Sequence, residues 1–192
     1  VLSLVQELLN EGQALGIQVV VKQRGETLVD VCGGFKSPYS LEPVQPDTLF
    51  NCFSVSKGVA AAAVWRLVAQ KRLDLNEPVT KYWPDFATAG GAKKKQVTVG
   101  HVLSHQSQLQ MAGVDEMSRD PYFVCESDNM LKVLENSLLE GTPGKGDAKY
   151  HFLTFGWLID GIVRGVTGGQ TLSEYIAEEI AKPLGLGDGL MI

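Results

Sequence analysis

The chain has 192 residues and a formal net charge of -5, with 44% hydrophobic and 20% charged residues. This composition is typical of a globular protein with a hydrophobic core, and it excludes a largely disordered chain. The negative charge argues against a nucleic-acid-binding protein, because such a protein needs a basic face to replace counterions. The one basic run, at residues 93–95, is predicted to be an exposed loop.

The three cysteines form an odd and scattered set, which is not a disulfide framework. This pattern favours a reducing compartment, the cytoplasm or the interior of an organelle, over secretion. The apolar run at residues 59–65 is much shorter than the roughly twenty residues of a membrane-spanning helix, so no membrane span is predicted. The histidines and cysteines lack the spacing of metal ligands, and neither a metal nor a cofactor is predicted.

In chain order, hydrophobic periodicity first predicts a helix over residues 4–14. Strands at residues 17–21 and 28–31, separated by a turn that contains Gly25, are typical of a hairpin. Residues 33–47 are rich in glycine, proline and serine and are predicted to form a loop. Because a two-stranded hairpin is not a stable sheet by itself, we expect further strands to complete it.

The remainder of the chain is predicted to be mainly helical. Residues 56–71 combine alanines with a helical apolar pattern, which indicates a helix buried on most of its sides. Residues 106–128 are predicted to be irregular. Further helices are predicted over residues 97–103, 130–139 and 155–166, and from the capping box at residues 171–174 to Pro183.

Ser54 and Lys57 form an S-x-x-K motif where the loop enters the predicted helix. Residues three apart on a helix share a face, so the Lys57 amine can reach the Ser54 hydroxyl. A serine hydroxyl is a weak nucleophile until a base removes its proton, and a nearby lysine can act as that base or assist it. The motif also has an ordinary structural interpretation, in which Ser54 caps the helix and Lys57 is a surface residue.

Five segments, in order, resemble the serine beta-lactamase superfamily. The resemblance is to the branch with class C beta-lactamases, D-alanyl-D-alanine carboxypeptidases and beta-lactamase-like serine esterases. The segments are residues 50–58, 73–84, 97–106, 150–157 and 181–186. The first contains the S-x-x-K motif, and the fourth is similar to the family's Tyr-x-Asn motif. The resemblance implies an α/β (α+β) fold of the beta-lactamase/transpeptidase type, with a helical region packed on part of an antiparallel sheet.

The same resemblance implies a catalytic site of Ser54, Lys57 and Tyr150. In such a site Ser54 attacks a carbonyl carbon, while Lys57 and Tyr150 share the proton transfer, since a tyrosine beside an ammonium group ionises more easily. His151 and Phe152 are predicted to contact the substrate, although a structural role for His151 stays open. Phe152 replaces the asparagine of class C enzymes, and a phenyl ring cannot form the hydrogen bonds of an amide.

Two further residues, one in the third segment and one just after it, need an interpretation. Gln108 stands where the family usually has glycine, so we expect a backbone position with positive φ that glutamine adopts poorly. His105 leaves open a Ser–His–Asp arrangement, which would also require a placed carboxylate. The alternative for His105 is a hydrogen-bonded structural histidine near the site.

We therefore predict a serine hydrolase that acts on a small ester or amide through an acyl-enzyme, with beta-lactam hydrolysis disfavoured by Phe152. The family's third motif, Lys/His-x-Gly on a late strand, does not occur in these residues. Residues 1–192 are accordingly interpreted as a partial beta-lactamase-like domain, with its sheet completed by a C-terminal segment or a second chain. The alternative is a catalytically incomplete relative that acts in binding or assembly.

Overall fold

The computed structural model describes residues 1–190, and the chain divides into two compact units, Val1–Asn51 and Cys52–Ile192. The first unit contains helix α1 (Leu2–Asn10) and a three-stranded antiparallel sheet in the order β1-β2-β3. The strands are β1 (Gly16–Gln23), β2 (Glu26–Ser37) and β3 (Ser40–Pro43). The predicted hairpin is therefore confirmed, and β3 supplies a third strand.

The turn between β1 and β2 explains why the hairpin was readable from the sequence. Gln23 pairs with Glu26, so Arg24 and Gly25 form a two-residue loop. Their φ angles of 52° and 87° are both positive, as the twist of a tight hairpin requires. Glycine adopts this conformation without strain, whereas arginine does so at a cost.

The predicted loop at residues 33–47 is wrong for most of its length, because β2 continues to Ser37 and β3 follows it, and only residues 38–39 and 44–47 lie outside the strands. The glycines that suggested a loop serve close packing inside the strand instead. A Cβ atom added to Gly34 would lie 2.1 Å from the carbonyl oxygen of Leu15, so only glycine fits at this contact.

The second unit is mainly helical, and in it the helices predicted around residues 56–71, 97–103, 130–139 and 155–166 are confirmed. Helix α5 (Val114–Arg119) and the 3-10 turn Phe123–Cys125 lie in the segment predicted to be irregular, residues 106–128. No helix among residues 1–190 is both long and apolar enough to cross a membrane. The α-helices are α2 (Ser56–Ala69), α3 (Gly91–Lys94), α4 (Val99–Leu103), α5 (Val114–Arg119), α6 (Ser127–Asn136), α7 (Thr154–Thr167) and α8 (Leu172–Ile176). The 3-10 helices are Phe53–Val55, Val79–Lys81, Pro84–Ala87, Phe123–Cys125 and Gly187–Gly189, and a π-helical turn spans Ala177–Ala181.

The core of this unit forms where α2 packs against α7. Helix α2 contributes buried Ala63, Val64 and Leu67, and α7 contributes buried Leu158 and Ile162. Alanine in α2 lets the two backbones approach closely, and the branched side chains of α7 fill the space between them. This packing fixes the start of α2, where the S-x-x-K motif lies.

The prediction that the basic run at residues 93–95 is an exposed loop is wrong for Lys94, because this residue is 0% exposed. Its ammonium group donates hydrogen bonds to the carbonyl oxygens of Leu134, Glu135 and Ser137, at 2.9 Å for the latter two. These carbonyls belong to the C-terminal end of α6, where backbone acceptors lack helical partners and the helix dipole is negative. Burial lowers the pKa of Lys94 to about 8.

Replacing Lys94 with methionine is expected to lower the free energy of unfolding by about 2–4 kcal/mol, because buried carbonyl oxygens lose their donor. Urea unfolding followed by circular dichroism measures this change. The matched control is Lys93→Met, since Lys93 is exposed on the same short helix. Equal stability of the two variants would show that Lys94 does not cap α6.

Candidate active site

Ser54 lies in the 3-10 turn Phe53–Val55, directly before α2. Its side chain is exposed, so a substrate can reach the hydroxyl. The preceding residue, Phe53, has a φ of 45°, in the left-handed region that residues other than glycine rarely adopt. This strained residue turns the chain into the helix and presents Ser54 at its N-terminal end, where the helix dipole favours negative charge.

Lys57 lies in the first turn of α2 and contacts Ser54, as the spacing of the motif predicts. Its Nζ donates to Ser54 Oγ at 3.3 Å and to the carbonyl oxygen of Phe152 at 3.1 Å. The second hydrogen bond joins α2 to the segment that precedes α7. The amine is thereby held beside the serine hydroxyl rather than left free in solvent.

Tyr150 reaches the same serine from the loop before α7. Its hydroxyl donates to Ser54 Oγ at 2.6 Å, and Lys57 Nζ lies 4.8 Å from the centre of its ring. The hydrogen bond with Ser54, followed by the contacts with Lys57, lowers the pKa of Tyr150 below its ordinary value of 10.0. The structure thus brings the three predicted residues together on one oxygen atom.

His105 supports the loop that carries Tyr150. His105 Nδ1 accepts the backbone N–H of His151 at 3.1 Å, and the carbonyl oxygen of His105 accepts the N–H of Lys149 at 3.0 Å. The His105 ring also packs against the Tyr150 ring, with centroids 5.0 Å apart. Tyr150 is therefore held by contacts on both sides of its own position in the chain.

His151 lies in the interior and not at the substrate cleft where it was predicted. Its ring is 0% exposed and its Nδ1 donates to the carbonyl oxygen of Lys149 at 2.6 Å. Nε2 is then the acceptor of the Ser107 hydroxyl at 2.7 Å. With both ring nitrogens engaged, His151 has no group to offer a substrate, which fits the structural interpretation.

A histidine-dependent serine site is not supported by this geometry. Ser107 and His151 form a Ser–His pair, but both side chains are 0% exposed, so no substrate reaches them. Within residues 1–190, no carboxylate is hydrogen-bonded to His105 or His151, and a triad requires one. Burial lowers the pKa of both histidines, which keeps them neutral near pH 7.

A cavity of about 460 Å³ adjoins Lys57. Phe152, Leu153 and Trp157 contribute apolar surface to it, and Phe152 is 57% exposed. At another part of the lining, Asp160 accepts hydrogen bonds from Arg164 Nε at 2.9 Å and from the backbone N–H of Leu172 at 2.6 Å. The charge of Asp160 is therefore compensated by the protein, and most of the surface offered to a ligand is apolar.

The backbone around His105 is strained, and the sequence signalled only part of this. Gln108 has a φ of 64°, which confirms the expectation of a positive φ at the position usually occupied by glycine. His105 has a φ of 58° as well, and nothing in the sequence marked it. Residues in the left-handed region cost about 1–3 kcal/mol each and persist where surrounding contacts hold them, as the hydrogen bonds of this loop do.

Ser54, Lys57 and Tyr150 meet where α2 begins, and they define the arrangement expected of a serine beta-lactamase-like protein. The comparisons with known proteins agree with this class. The family described as beta-lactamase matches residues 1–189. The chain is 34% identical over 169 residues to "Esterase/beta-lactamase LipL" of Mycobacterium tuberculosis, covering 86% of this chain and 36% of that protein. It is 29% identical over 199 residues to "Esterase EstB" of Burkholderia gladioli, covering 95% and 48%.

A solved structure described as a family VIII carboxylesterase superposes with a TM-score of 0.83 at 32% identity, covering 97% of this chain and 49% of that one. The chain belongs to the beta-lactamase family. It has the mixed α/β fold of the beta-lactamase/transpeptidase type that the resemblance implied. The chain spans between about a third and a half of the length of these relatives.

Proposed function

We propose that this chain carries the nucleophile site of a serine hydrolase that acts on small ester substrates through an acyl-enzyme at Ser54. The observation that carries the proposal is the convergence on Ser54 Oγ of Tyr150 OH at 2.6 Å and Lys57 Nζ at 3.3 Å. Both groups are close enough to take the hydroxyl proton directly. Membership of the beta-lactamase family supports the same chemistry.

In the acylation step, Ser54 Oγ bonds to the carbonyl carbon of the ester while its proton passes to the Tyr150–Lys57 pair. The carbonyl oxygen becomes an oxyanion at the N-terminal end of α2, where the helix dipole stabilises negative charge. The bond from the carbonyl carbon to the alcohol oxygen then breaks. The proton held by the pair moves to that oxygen, so a neutral alcohol leaves and the acyl group stays on Ser54.

Deacylation follows the same route with water in place of the alcohol. Tyr150 and Lys57 remain beside the ester oxygen of the acyl-enzyme and can take a proton from the attacking water. Breaking the acyl bond returns that proton to Ser54 Oγ and releases the carboxylic acid. No metal or cofactor is needed for either step, because the proton donor and acceptor are the side chains themselves.

Esters are favoured over beta-lactams by the side chain at position 152. Phe152 is exposed beside the apolar cavity and offers no amide to a polar substrate. An apolar acyl or alcohol group would bury its surface against Phe152 and Trp157. The relatives whose names give only an esterase or carboxylesterase support this choice, and small amides are the second substrate class. That a C-terminal segment or a second chain supplies the Lys/His-x-Gly motif and the further strands of the sheet stays a prediction.

The proposal is tested by labelling the 192-residue chain, and any longer polypeptide that contains it, with a fluorophosphonate. We expect one adduct per chain, located at Ser54 by peptide mass spectrometry. Turnover of p-nitrophenyl acetate and butyrate should exceed turnover of a chromogenic cephalosporin. A folded protein that gives no adduct, or an adduct at another residue, would refute the proposal, and faster cephalosporin hydrolysis would refute the substrate class.

Replacing Tyr150 with phenylalanine is expected to slow ester hydrolysis by about 100- to 1000-fold, the usual contribution of a general acid–base group. The pKa of Tyr150 is lowered from 10.0, so the wild-type rate should rise with pH as the phenolate forms, with an inflection below that value. The variant should lack this rise. Rates measured across the alkaline range test both points, with Tyr122→Phe as the control because Tyr122 is also exposed. An unchanged pH profile in Tyr150→Phe would exclude Tyr150 from proton transfer.

A further inference from the structure

His105 lies beside the proposed site without touching Ser54. It follows α4, and its ring packs against the rings of Tyr150 at 5.0 Å and Phe155 at 4.9 Å. Its Nδ1 accepts the N–H of the peptide bond that joins Tyr150 to His151, at 3.1 Å. One side chain thus contacts both the ring of Tyr150 and the backbone directly after it.

The protonation state of His105 follows from this hydrogen bond. An imidazole nitrogen that accepts an N–H carries no proton, so His105 is neutral with its proton on Nε2. Protonation would place Nδ1–H against the N–H of His151, two donors facing each other at 3.1 Å. The backbone N–H would lose its acceptor, and the peptide bond after Tyr150 would have to move.

We propose that neutral His105 is a positioning residue for Tyr150, and that protonation of His105 withdraws the Tyr150 hydroxyl from Ser54 and stops acylation. This role rests on the proposed function of Ser54. A displacement of about 1 Å in a reacting group can lower a rate about 100-fold, so a small movement of Tyr150 is sufficient.

Among the surroundings of His105, burial and Lys57 oppose its protonation. Helix α2 presents Lys57, and the loop before α7 presents Tyr150 and His151. Helix α7 presents only the uncharged Phe155 ring, and Lys149 contacts His105 through its backbone. Burial and then Lys57 lower the pKa of His105 from 6.5, so protonation of His105 occurs only in acid.

Two substitutions separate the hydrogen bond from the titration. Asparagine tolerates the left-handed φ of 58° at position 105 and offers an acceptor near the place of Nδ1, but it does not titrate. Leucine fills part of the space and offers no acceptor. The matched control is His101→Gln, because glutamine at this position retains the capping box with Thr98.

The experiment measures the second-order rate of fluorophosphonate labelling at Ser54 from about pH 4.5 to about pH 8, the range in which histidines titrate. Circular dichroism at each pH checks that each variant is folded. In wild type, the plot of log rate against pH should steepen as the pH falls, from a slope of about one to about two. Protonation of Tyr150 accounts for the first unit of slope, and protonation of His105 adds the second. His101→Gln should steepen in the same way.

His105→Asn should keep a slope of about one and lose about tenfold in rate at pH 8, while His105→Leu should lose about 100-fold. The role of His105 is overturned if wild type does not steepen, if His105→Asn steepens as wild type does, or if folded His105→Leu labels as fast as His105→Asn. Absence of labelling in wild type at every pH would instead contradict the proposed function, and this role with it.

Discussion

Replacing Ser54 with alanine is expected to lower ester hydrolysis by about 10,000- to 1,000,000-fold, the loss typical of removing a catalytic nucleophile. The variant should also give no fluorophosphonate adduct. The fold should be unaffected, because Ser54 is exposed and its hydroxyl meets the side chains of Lys57 and Tyr150 at the surface. Steady-state hydrolysis and intact-mass analysis measure the two effects on the same preparation.

The control for this variant is Ser118→Ala, an exposed serine on α5 whose hydroxyl donates to the carbonyl oxygen of Val114. It should hydrolyse esters at the wild-type rate. If Ser54→Ala kept more than about 1% of the activity, a second nucleophile would be required.

Replacing Lys57 with methionine is expected to slow acylation of Ser54 by about 1000-fold or more, near the upper part of the range for a general acid–base group. Methionine retains the length and apolar part of the side chain but removes the amine that contacts Ser54 Oγ at 3.3 Å and the Phe152 carbonyl at 3.1 Å. The rate of fluorophosphonate labelling measures acylation without a contribution from deacylation.

A second variant distinguishes the two ways in which Lys57 can act. Arginine keeps the positive charge but does not give up a proton at accessible pH. If Lys57→Arg is as slow as Lys57→Met, the amine takes part in proton transfer; if it recovers most of the rate, only the charge matters. Lys132→Met, at an exposed position of α6, controls for the loss of one positive charge. Wild-type labelling by Lys57→Met would remove Lys57 from the mechanism.

The parts of the fold that the sequence predicts correctly are those formed by residues close to one another in the chain. The hairpin turn at residues 24–25 and the capping boxes of α4 and α8 depend on residues within a few positions of one another. Strand β3 was missed because glycines that permit close packing resemble glycines that form loops. Lys94 was misplaced because its partners lie about forty residues away, at the end of α6, and no local pattern reveals them.

In the candidate site, too, the sequence predicted the local contacts and missed most of the distant ones. A spacing of three residues on a helix predicts contact between Lys57 and Ser54, and this contact is present in the structure. Tyr150 was identified only through the family resemblance, since 96 positions separate it from Ser54. The interior position of His151 and the contact of His105 with the Tyr150 loop had no signal in the sequence beyond the presence of histidines near the motif.

The sequence by itself determined the helices, the hairpin and the contacts between residues a few positions apart. In these elements the local backbone geometry fixes which side chains meet. It also determined the family, through ordered motifs. Only the tertiary structure decided which distant side chains share the hydroxyl of Ser54, which histidine is buried and which lysine caps a helix. Those contacts depend on how α2 and α7 pack and on where the intervening loops return, and packing is a property of the whole unit rather than of any segment.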